Sequence, residues 1–163
     1  MILGFTKAFD GKQLNFIEKI SSGIKKHTLR EDVHGRWREG RVIQFATGVR
    51  TKQYKEHFQK PCTWVQSVKL VLPQSEYPPY IADLNIFIDG VLLNPLRNQE
   101  FSRNDGFTAE LDFLKWFFFE KKNGEWKQVR TSWSGRMIHW TDINYVGAVL
   151  FRIINGDNAP SGE

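Results

Sequence analysis

The chain has a single cysteine, Cys62, among its 163 residues. An intramolecular disulfide is therefore impossible, and this cysteine usage is typical of a reducing, cytoplasmic setting. Residues 1–5 lack the charged start and the long apolar stretch of a signal peptide. No apolar run approaches the roughly 20 residues that a membrane-spanning helix needs. These absences predict a soluble, cytoplasmic protein with no membrane partner.

Metal-binding and nucleotide-hydrolysing motifs are also missing. The four histidines have neither the H-E-x-x-H spacing nor cysteine partners, so we expect no metal site. Gly23-x-Lys25 lacks the full G-x-x-x-x-G-K-[ST] pattern of a phosphate-binding loop, and we expect no cofactor. We interpret Cys62 as a small buried hydrophobe and His139 as a satisfied histidine in the core or at its rim.

Positive charge is concentrated in one part of the chain. Residues 23–60 contain ten lysines and arginines against four acids, a net charge of +6 in a chain whose total is +5. Three of the four histidines also lie there. A basic segment on an otherwise near-neutral chain indicates a polyanionic partner such as RNA. The alternative is a solvated surface loop of mixed charge.

Hydrophobic periodicity predicts a mixture of strands and helices. An apolar face at threefold spacing predicts a helix over 13–22, which Gly23 ends in the left-handed conformation. Asp89-Gly90 predicts a tight hairpin turn. Thr108 is a candidate N-cap for a second helix that buries Leu111. The second helix spans 109–119 and buries Leu111, Leu114, Phe117 and Phe118, and residues 25–41 are predicted to form an exposed loop. The predicted strands are 2–5, 41–45, 62–72, 85–88, 91–93, 137–140 and 146–154. In the strand 62–72, one face carries Trp64, Val68, Leu70 and Leu72.

Short strands with two or three inserted helices predict an α+β fold. The length fits one domain, which we place at 1–154, followed by a flexible C-terminal tail at 155–163.

Three segments resemble the ASCH family. Residues 20–31, ISSGIKKHTLRE, resemble its signature G-x-K-x-x-T-x-R at the end of the first helix. Residues 40–45, GRVIQF, resemble its G-x-x-I-x-F strand, and Asp105-Gly106-Phe107 resembles its acidic-Gly-aromatic turn. The three segments occur in the family's order, and the resemblance covers roughly residues 13–120.

The resemblance implies a PUA-like, partly closed β-barrel with helices at its rim and a cleft beside the signature. Such domains bind RNA or nucleoside-like ligands there, and some hydrolyse N4-acylated cytidines with a lysine, a threonine and an acid. On this chain those residues are Lys25, Thr28 and Asp105, with Arg30 completing the motif. The hydrolases carry Glu at the acidic position, so Asp105 is shorter by about 1.5 Å.

The same residues allow two kinds of chemistry. A desolvated lysine with a lowered pKa can take the proton of a threonine hydroxyl, while an acid orients the lysine or protonates the leaving amine. Alternatively, Lys25 and Arg30 contact phosphate and Thr28 makes a structural hydrogen bond. If the segment is extended, Lys25 and Thr28 lie on opposite faces; if it is helical or tightly turned, they come together.

The favoured hypothesis is therefore a domain that binds RNA or a modified nucleoside. The alternatives are an amidohydrolase acting on N4-acylated cytidine and a protein-interaction module. Trp37, between Arg36 and Arg38, is a candidate stacking surface for a base. The candidate binding residues are Gly23, Lys26, His27, Arg30, Arg36, Trp37, Arg38, Arg50 and Lys52.

Overall fold

A computed structural model describes residues 1–74, 79–143 and 145. The fold is α+β and mostly strand, as the periodicity predicted. The α-helices within these residues are α1 (Phe16–Ser21), α2 (Asn98–Asn104) and α3 (Glu110–Phe118), and two short 3₁₀ helices span Ile81–Asp83 and Pro95–Arg97. The strands are β1 (Ile2–Phe5), β2 (Ala8–Phe9), β3 (Lys12–Gln13), β4 (His27–Arg30), β5 (Val42–Thr47), β6 (Lys55–Pro61), β7 (Val65–Val71), β8 (Asn85–Ile88), β9 (Val91–Leu92), β10 (Phe119–Lys122), β11 (Glu125–Gln128) and β12 (Ser132–His139).

The larger sheet has five antiparallel strands in the order β4-β12-β7-β8-β9. The long strand β12 lies inside it, pairing Met137 with Leu29 of β4 and with Gln66 of β7. Val68, Leu70 and Leu72 alternate into the core, as predicted. Trp64 precedes β7 and is 43% exposed, so its predicted place on the buried face is wrong.

The smaller sheet has the order β1-β5-β6. Strand β1 runs parallel to β5, and β6 returns antiparallel with a register shift between Phe45 and Ala46 of β5. The hairpins β2–β3 and β10–β11 form two further two-stranded sheets. No sheet closes into a barrel within the residues that the structure describes.

Aromatic side chains fill the space between the elements. Phe45, Phe101, Phe113 and Phe118 are fully buried. The ring of Phe45 meets that of Trp140 edge to face at 5.0 Å between centroids. The aromatic side chains therefore lie mainly in the core.

The segment predicted as an exposed loop at 25–41 is partly core, and that prediction is wrong. Its first third enters the larger sheet as β4, where His27, Thr28 and Leu29 are buried. Trp37 is also buried, at 7% exposure. The Asp32 carboxylate accepts hydrogen bonds from the backbone N–H groups of Arg36 and Trp37, each at 3.0 Å. This turn sends the Trp37 ring inward and leaves its two arginine neighbours exposed.

The predicted helices exist but are shorter than expected. Helix α1 spans six residues of the predicted 13–22, and Gly23 follows it at φ +77°. Helix α3 begins after Ala109 without a side-chain cap, so Thr108 is not the N-cap. Leu111 is 43% exposed rather than buried, whereas Leu114, Phe117 and Phe118 are buried as predicted. Helix α2 was not predicted.

The hairpin at Asp89-Gly90 is confirmed, with φ of +50° and +82° at the two turn residues. The predicted strand at 146–154 and the tail at 155–163 lie outside the described residues. No helix in the described part of the chain combines the length and the apolar character needed to cross a membrane.

Candidate functional site

Four polar residues of the G-x-K-x-x-T-x-R segment and the Asp-Gly-Phe turn line one small cavity: Lys25, Thr28, Arg30 and Asp105. The cavity has a volume of about 10 Å³, which is room for about one water molecule. Its other walls are Thr6, Phe16, Leu29, Phe107 and Trp116. Residues that lie up to 80 positions apart in the sequence therefore meet at one point.

Lys25 reaches this cavity through a tight turn at the end of α1. Gly23 adopts the left-handed conformation at φ +77°, and the Lys25 N–H then bonds back to the Lys19 carbonyl at 2.9 Å. The Lys26 N–H bonds to the Asn104 carbonyl at 2.7 Å, which ties the turn to the end of α2. The turn brings the side chains of Lys25 and Thr28 to one cavity although β4 itself is extended.

Asp105 reaches the cavity because α2 ends there. Gly106 follows it at φ +94°; the Gly106 N–H bonds to the Arg103 carbonyl at 2.8 Å and the Phe107 N–H to the Ser102 carbonyl at 3.1 Å. This is the Schellman arrangement, which favours glycine at the left-handed position. A Cβ on Gly106 would stand 2.8 Å from Lys25 Cδ, so glycine also leaves room for the lysine stem.

Lys25 and Asp105 form a buried ion pair. Lys25 Nζ donates to Asp105 Oδ1 at 3.1 Å and also to the Asp105 backbone carbonyl, and the two side chains are 1% and 5% exposed. The ammonium also lies over the ring of Phe16, at 4.7 Å from its centroid. The shorter aspartate side chain therefore does reach the lysine.

The surroundings shift both members of the pair. Burial lowers the pKa of Lys25 to about 8, against a smaller raising effect of the Asp105 charge. Burial by itself raises the pKa of Asp105, but Lys25 and His27 together outweigh it and hold that pKa below its ordinary value. Lys25 is thus a lysine that exchanges its proton near physiological pH.

Arg30 extends from the cavity towards β1. Its Nη2 donates to the Gly4 carbonyl at 2.6 Å, and its guanidinium lies 5.6 Å from the centroid of the Phe5 ring. Burial lowers the pKa of Arg30, and the charge of Asp105 opposes that shift. Because it makes this backbone hydrogen bond, Arg30 serves at least partly to stabilise the fold.

His27 lies on the far side of Asp105 and is completely buried. Its Nδ1 is 3.6 Å from Asp105 Oδ1, and its Nε2 is 2.9 Å from the Tyr145 hydroxyl. Burial lowers the pKa of His27. The side chain of His27 does not face solvent, and its predicted role in ligand binding stays a prediction.

His139 is buried in β12, as predicted for a core histidine, and its ring centroid lies 5.5 Å from that of His27. Neither of its ring nitrogens finds a hydrogen-bond partner within the described residues, so the expectation that it is satisfied is not met there. Burial, followed by the charge of His27, lowers the pKa of His139 to about 3.

The remaining predicted binding residues lie apart from this cavity. Arg36 and Arg38 are exposed on the segment between β4 and β5, and Trp37 between them is buried. The prediction that Trp37 stacks on a base at the surface is therefore wrong. Lys26 is half-buried, and Gly23, Arg50 and Lys52 are exposed, the last two in the β5–β6 connection.

A surface groove adjoins the small cavity. It consists of a hollow of about 280 Å³ and another of about 440 Å³, which share Phe5, Thr6, Lys7 and Gln53. Thr6 borders both hollows and the small cavity, and Phe16 borders the small cavity and the first hollow. Thr6 therefore stands at the junction between the groove and the Lys25–Asp105 pair. No sequence pattern pointed to Thr6.

A larger hollow of about 600 Å³ lies elsewhere, over β7, β8 and β12. Its lining includes Lys69, Phe87, Ser134 and Arg136. The one buried ionisable side chain there, Asp32, has its carboxylate engaged by backbone N–H groups. We therefore place the candidate site at the smaller cavity, where buried and mutually contacting ionisable groups converge.

No group of three or more His, Cys, Asp or Glu side chains with the geometry of a metal site is found in the part of the chain described. Sequence reasoning also missed Asn104 and Tyr145, which contact each other beside His27. Asn104 could have been noticed as the neighbour of Asp105, whereas no pattern pointed to Tyr145.

Comparison with known proteins identifies no family: no family model matches the chain, and no curated protein or solved structure matches it at the significance required.

Proposed function

We propose that the chain binds a nucleoside-like ligand in the groove at Thr6, with the ligand's base or base modification directed at the Lys25–Asp105 pair. The observation that carries this proposal is the meeting of Lys25, Thr28, Arg30 and Asp105 at one cavity beside that groove. A buried lysine and carboxylate next to a hollow are typical of a ligand site rather than of a plain surface.

The placement of the basic residues favours a nucleoside over a long RNA strand. Lys25 is buried and Arg30 is partly buried, so neither extends a track of surface phosphates. The exposed arginines Arg36 and Arg38 belong to a different segment from Arg50 and Lys52. The nearer hollow, at about 280 Å³, is close to the lower size of ordinary small-ligand pockets, which is roughly 300 Å³.

The resemblance to the ASCH family supports the same proposal. Its signature lysine, threonine and arginine and the acid of its Asp-Gly-Phe turn are the residues that converge here. The proposal therefore includes a PUA-like architecture, in which the two main sheets belong to a partly closed barrel.

Blocking the groove tests the binding proposal. Thr6→Trp places a large ring at the junction of the groove and the cavity, and Thr6 is exposed, so the fold tolerates the change. We expect the affinity for N4-acetylcytidine, measured by calorimetric titration, to fall by roughly tenfold or more, which is about 1.4 kcal/mol. Thr131→Trp, at an exposed threonine that borders neither the cavity nor the groove, should leave the affinity unchanged. Equal affinities in the two variants would exclude the groove.

A second candidate function is hydrolysis of an N4-acylated cytidine, and the lowered pKa of Lys25 favours it. In the neutral form, the Lys25 amine accepts the proton of the Thr28 hydroxyl, whose oxygen attacks the acyl carbon. The bond between the acyl carbon and N4 breaks, and the cytidine amine leaves with the proton that Lys25 took. Water then hydrolyses the acyl ester on Thr28, while Asp105 holds the lysine in place.

This mechanism has a definite pH dependence. A general base works in its neutral form, so kcat/KM for N4-acetylcytidine should rise as the pH passes about 8 and then level off. Lys25→Arg keeps the positive charge but cannot lose its proton, and we expect it to have no turnover. Chromatographic detection of cytidine gives both results. A rate independent of pH between 6 and 9, or turnover in Lys25→Arg, is incompatible with lysine as the base.

A further inference from the structure

A buried row of polar side chains leads away from the Lys25–Asp105 pair. Asn104 Nδ2 lies 2.9 Å from the Tyr145 hydroxyl, and that hydroxyl lies 2.9 Å from His27 Nε2. The other ring nitrogen, Nδ1, faces Asp105 Oδ1 at 3.6 Å, which is longer than a hydrogen bond, and no hydrogen-bond partner for Nδ1 is found among the described residues. Lys25 Nζ contacts the same carboxylate oxygen. All five side chains are at most 5% exposed.

The donors and acceptors in this row fix where each proton lies. The Asn104 amide nitrogen can only donate, so the Tyr145 oxygen accepts from it. Among the described residues, His27 Nε2 is the acceptor that the structure offers to the hydroxyl proton of Tyr145, so we assign Nε2 as the acceptor. A neutral imidazole that accepts at Nε2 carries its proton on Nδ1. That N–H faces the Asp105 carboxylate.

The electrostatic surroundings agree with a neutral ring. Burial lowers the pKa of His27 and raises that of Tyr145, so neither group ionises near neutral pH. The charged or titratable side chains that face His27 are Lys25, Lys26, Asp105, His139 and Tyr145. The carboxylate is the one anion in that set.

We infer that His27 is a positioning residue of the candidate site: Tyr145 holds its ring as the Nδ1–H tautomer, and that N–H fixes the carboxylate oxygen of Asp105 that Lys25 contacts. The backbone at the end of α2 places Asp105 near Lys25, but it does not choose the rotation of the carboxylate. Two positively polarised groups near one oxygen favour one rotation: the Lys25 ammonium donates to Oδ1 at 3.1 Å, and the His27 N–H faces the same oxygen at 3.6 Å and attracts it electrostatically. The role of this arrangement in ligand binding rests on the proposed function, whereas the tautomer does not.

Nitrogen NMR of histidine-labelled protein tests the tautomer directly. We expect the His27 ring in the full chain to show a protonated Nδ1 and an unprotonated Nε2 at neutral pH, and His27→Asn identifies the signal by removing it. Tyr145→Phe removes one hydroxyl from a buried ring and should convert that ring to a mixture of tautomers. A native ring protonated at Nε2, or on both nitrogens, would overturn the inference.

Two substitutions of His27 separate positioning from packing. The side-chain nitrogen of Asn superimposes on Nδ1 and can still donate to Asp105, whereas that of Gln superimposes on Nε2 and cannot. We expect His27→Asn to bind N4-acetylcytidine within roughly threefold of the native affinity, and His27→Gln to bind roughly tenfold more weakly, because Gln leaves no N–H beside the Asp105 carboxylate.

If both variants lose affinity equally while remaining folded, His27 acts only through packing. If the native protein does not bind the nucleoside at all, the proposed function fails, and the tautomer measurement still decides the inference.

Discussion

Asp105→Ala is expected to lower the free energy of unfolding by about 3–5 kcal/mol, the usual cost of removing one member of a buried ion pair. The loss comes mainly from Lys25, which would stay buried without its carboxylate and would have to remain charged and unpaired or give up its proton. Denaturation in urea at neutral pH measures the effect. It would be the largest change from any single exchange of a polar residue that we propose.

A second substitution and a control distinguish this cause from a general loss of packing. Lys25→Met in the Asp105→Ala background removes the unbalanced charge and should recover part of the lost stability. Asp112→Ala breaks the pair with Lys12, whose side chain is 60% exposed, and should cost about 1 kcal/mol or less. If the two variants Asp105→Ala and Asp112→Ala lost equal free energy of unfolding, the buried Lys25–Asp105 pair would be no more important to stability than an exposed pair.

The pair also gives the stability a dependence on acid. The pKa of Asp105 is lowered in the folded chain from its ordinary value of 3.8. Its contribution is therefore present above about pH 4 and is lost as the pH falls through the lowered folded value. In Asp105→Ala, the free energy of unfolding should lose the part of its decrease at acid pH that comes from Asp105.

Trp37→Ala is expected to lower the free energy of unfolding by about 3–5 kcal/mol, because it empties a large buried site. Trp64→Ala is the matched control: the same atoms are removed from a ring that is 43% exposed, and a much smaller loss is expected. Urea denaturation again gives the comparison. If Trp37→Ala is as stable as the native chain, then Trp37 is not a core residue and its role in stacking on a base returns.

Much of the fold could be predicted from local patterns. The strand at 2–5 and the hairpin at Asp89-Gly90 are short-range features, since alternation and turn chemistry depend on neighbouring residues. Gly23 was likewise identified as a helix terminator from its position alone.

The segment after Gly23 was misjudged because its composition is polar. Lys25, His27 and Thr28 are typical of surfaces, and only tertiary contacts with Asp105 and Tyr145 make their burial favourable. Trp37 was misjudged for a similar reason: its flanking arginines suggested exposure, while the turn at Asp32 reverses the direction of its side chain.

The candidate site was predicted in part. The motif named Lys25, Thr28, Arg30 and Asp105, and the structure places all four at one cavity. The groove at Thr6 depends on how β1, α1 and the β5–β6 connection pack together, which no local pattern encodes.

The proposed function requires that a nucleoside-like ligand enters the groove at Thr6 and approaches Lys25. Titration of N4-acetylcytidine into the ¹⁵N-labelled protein, followed amide by amide, tests it most directly. We predict saturable shifts at Phe5, Thr6, Lys25 and Gly106, with the segment at 34–41 unchanged. No shifts at millimolar nucleoside, or shifts confined to 34–41, would exclude this binding site.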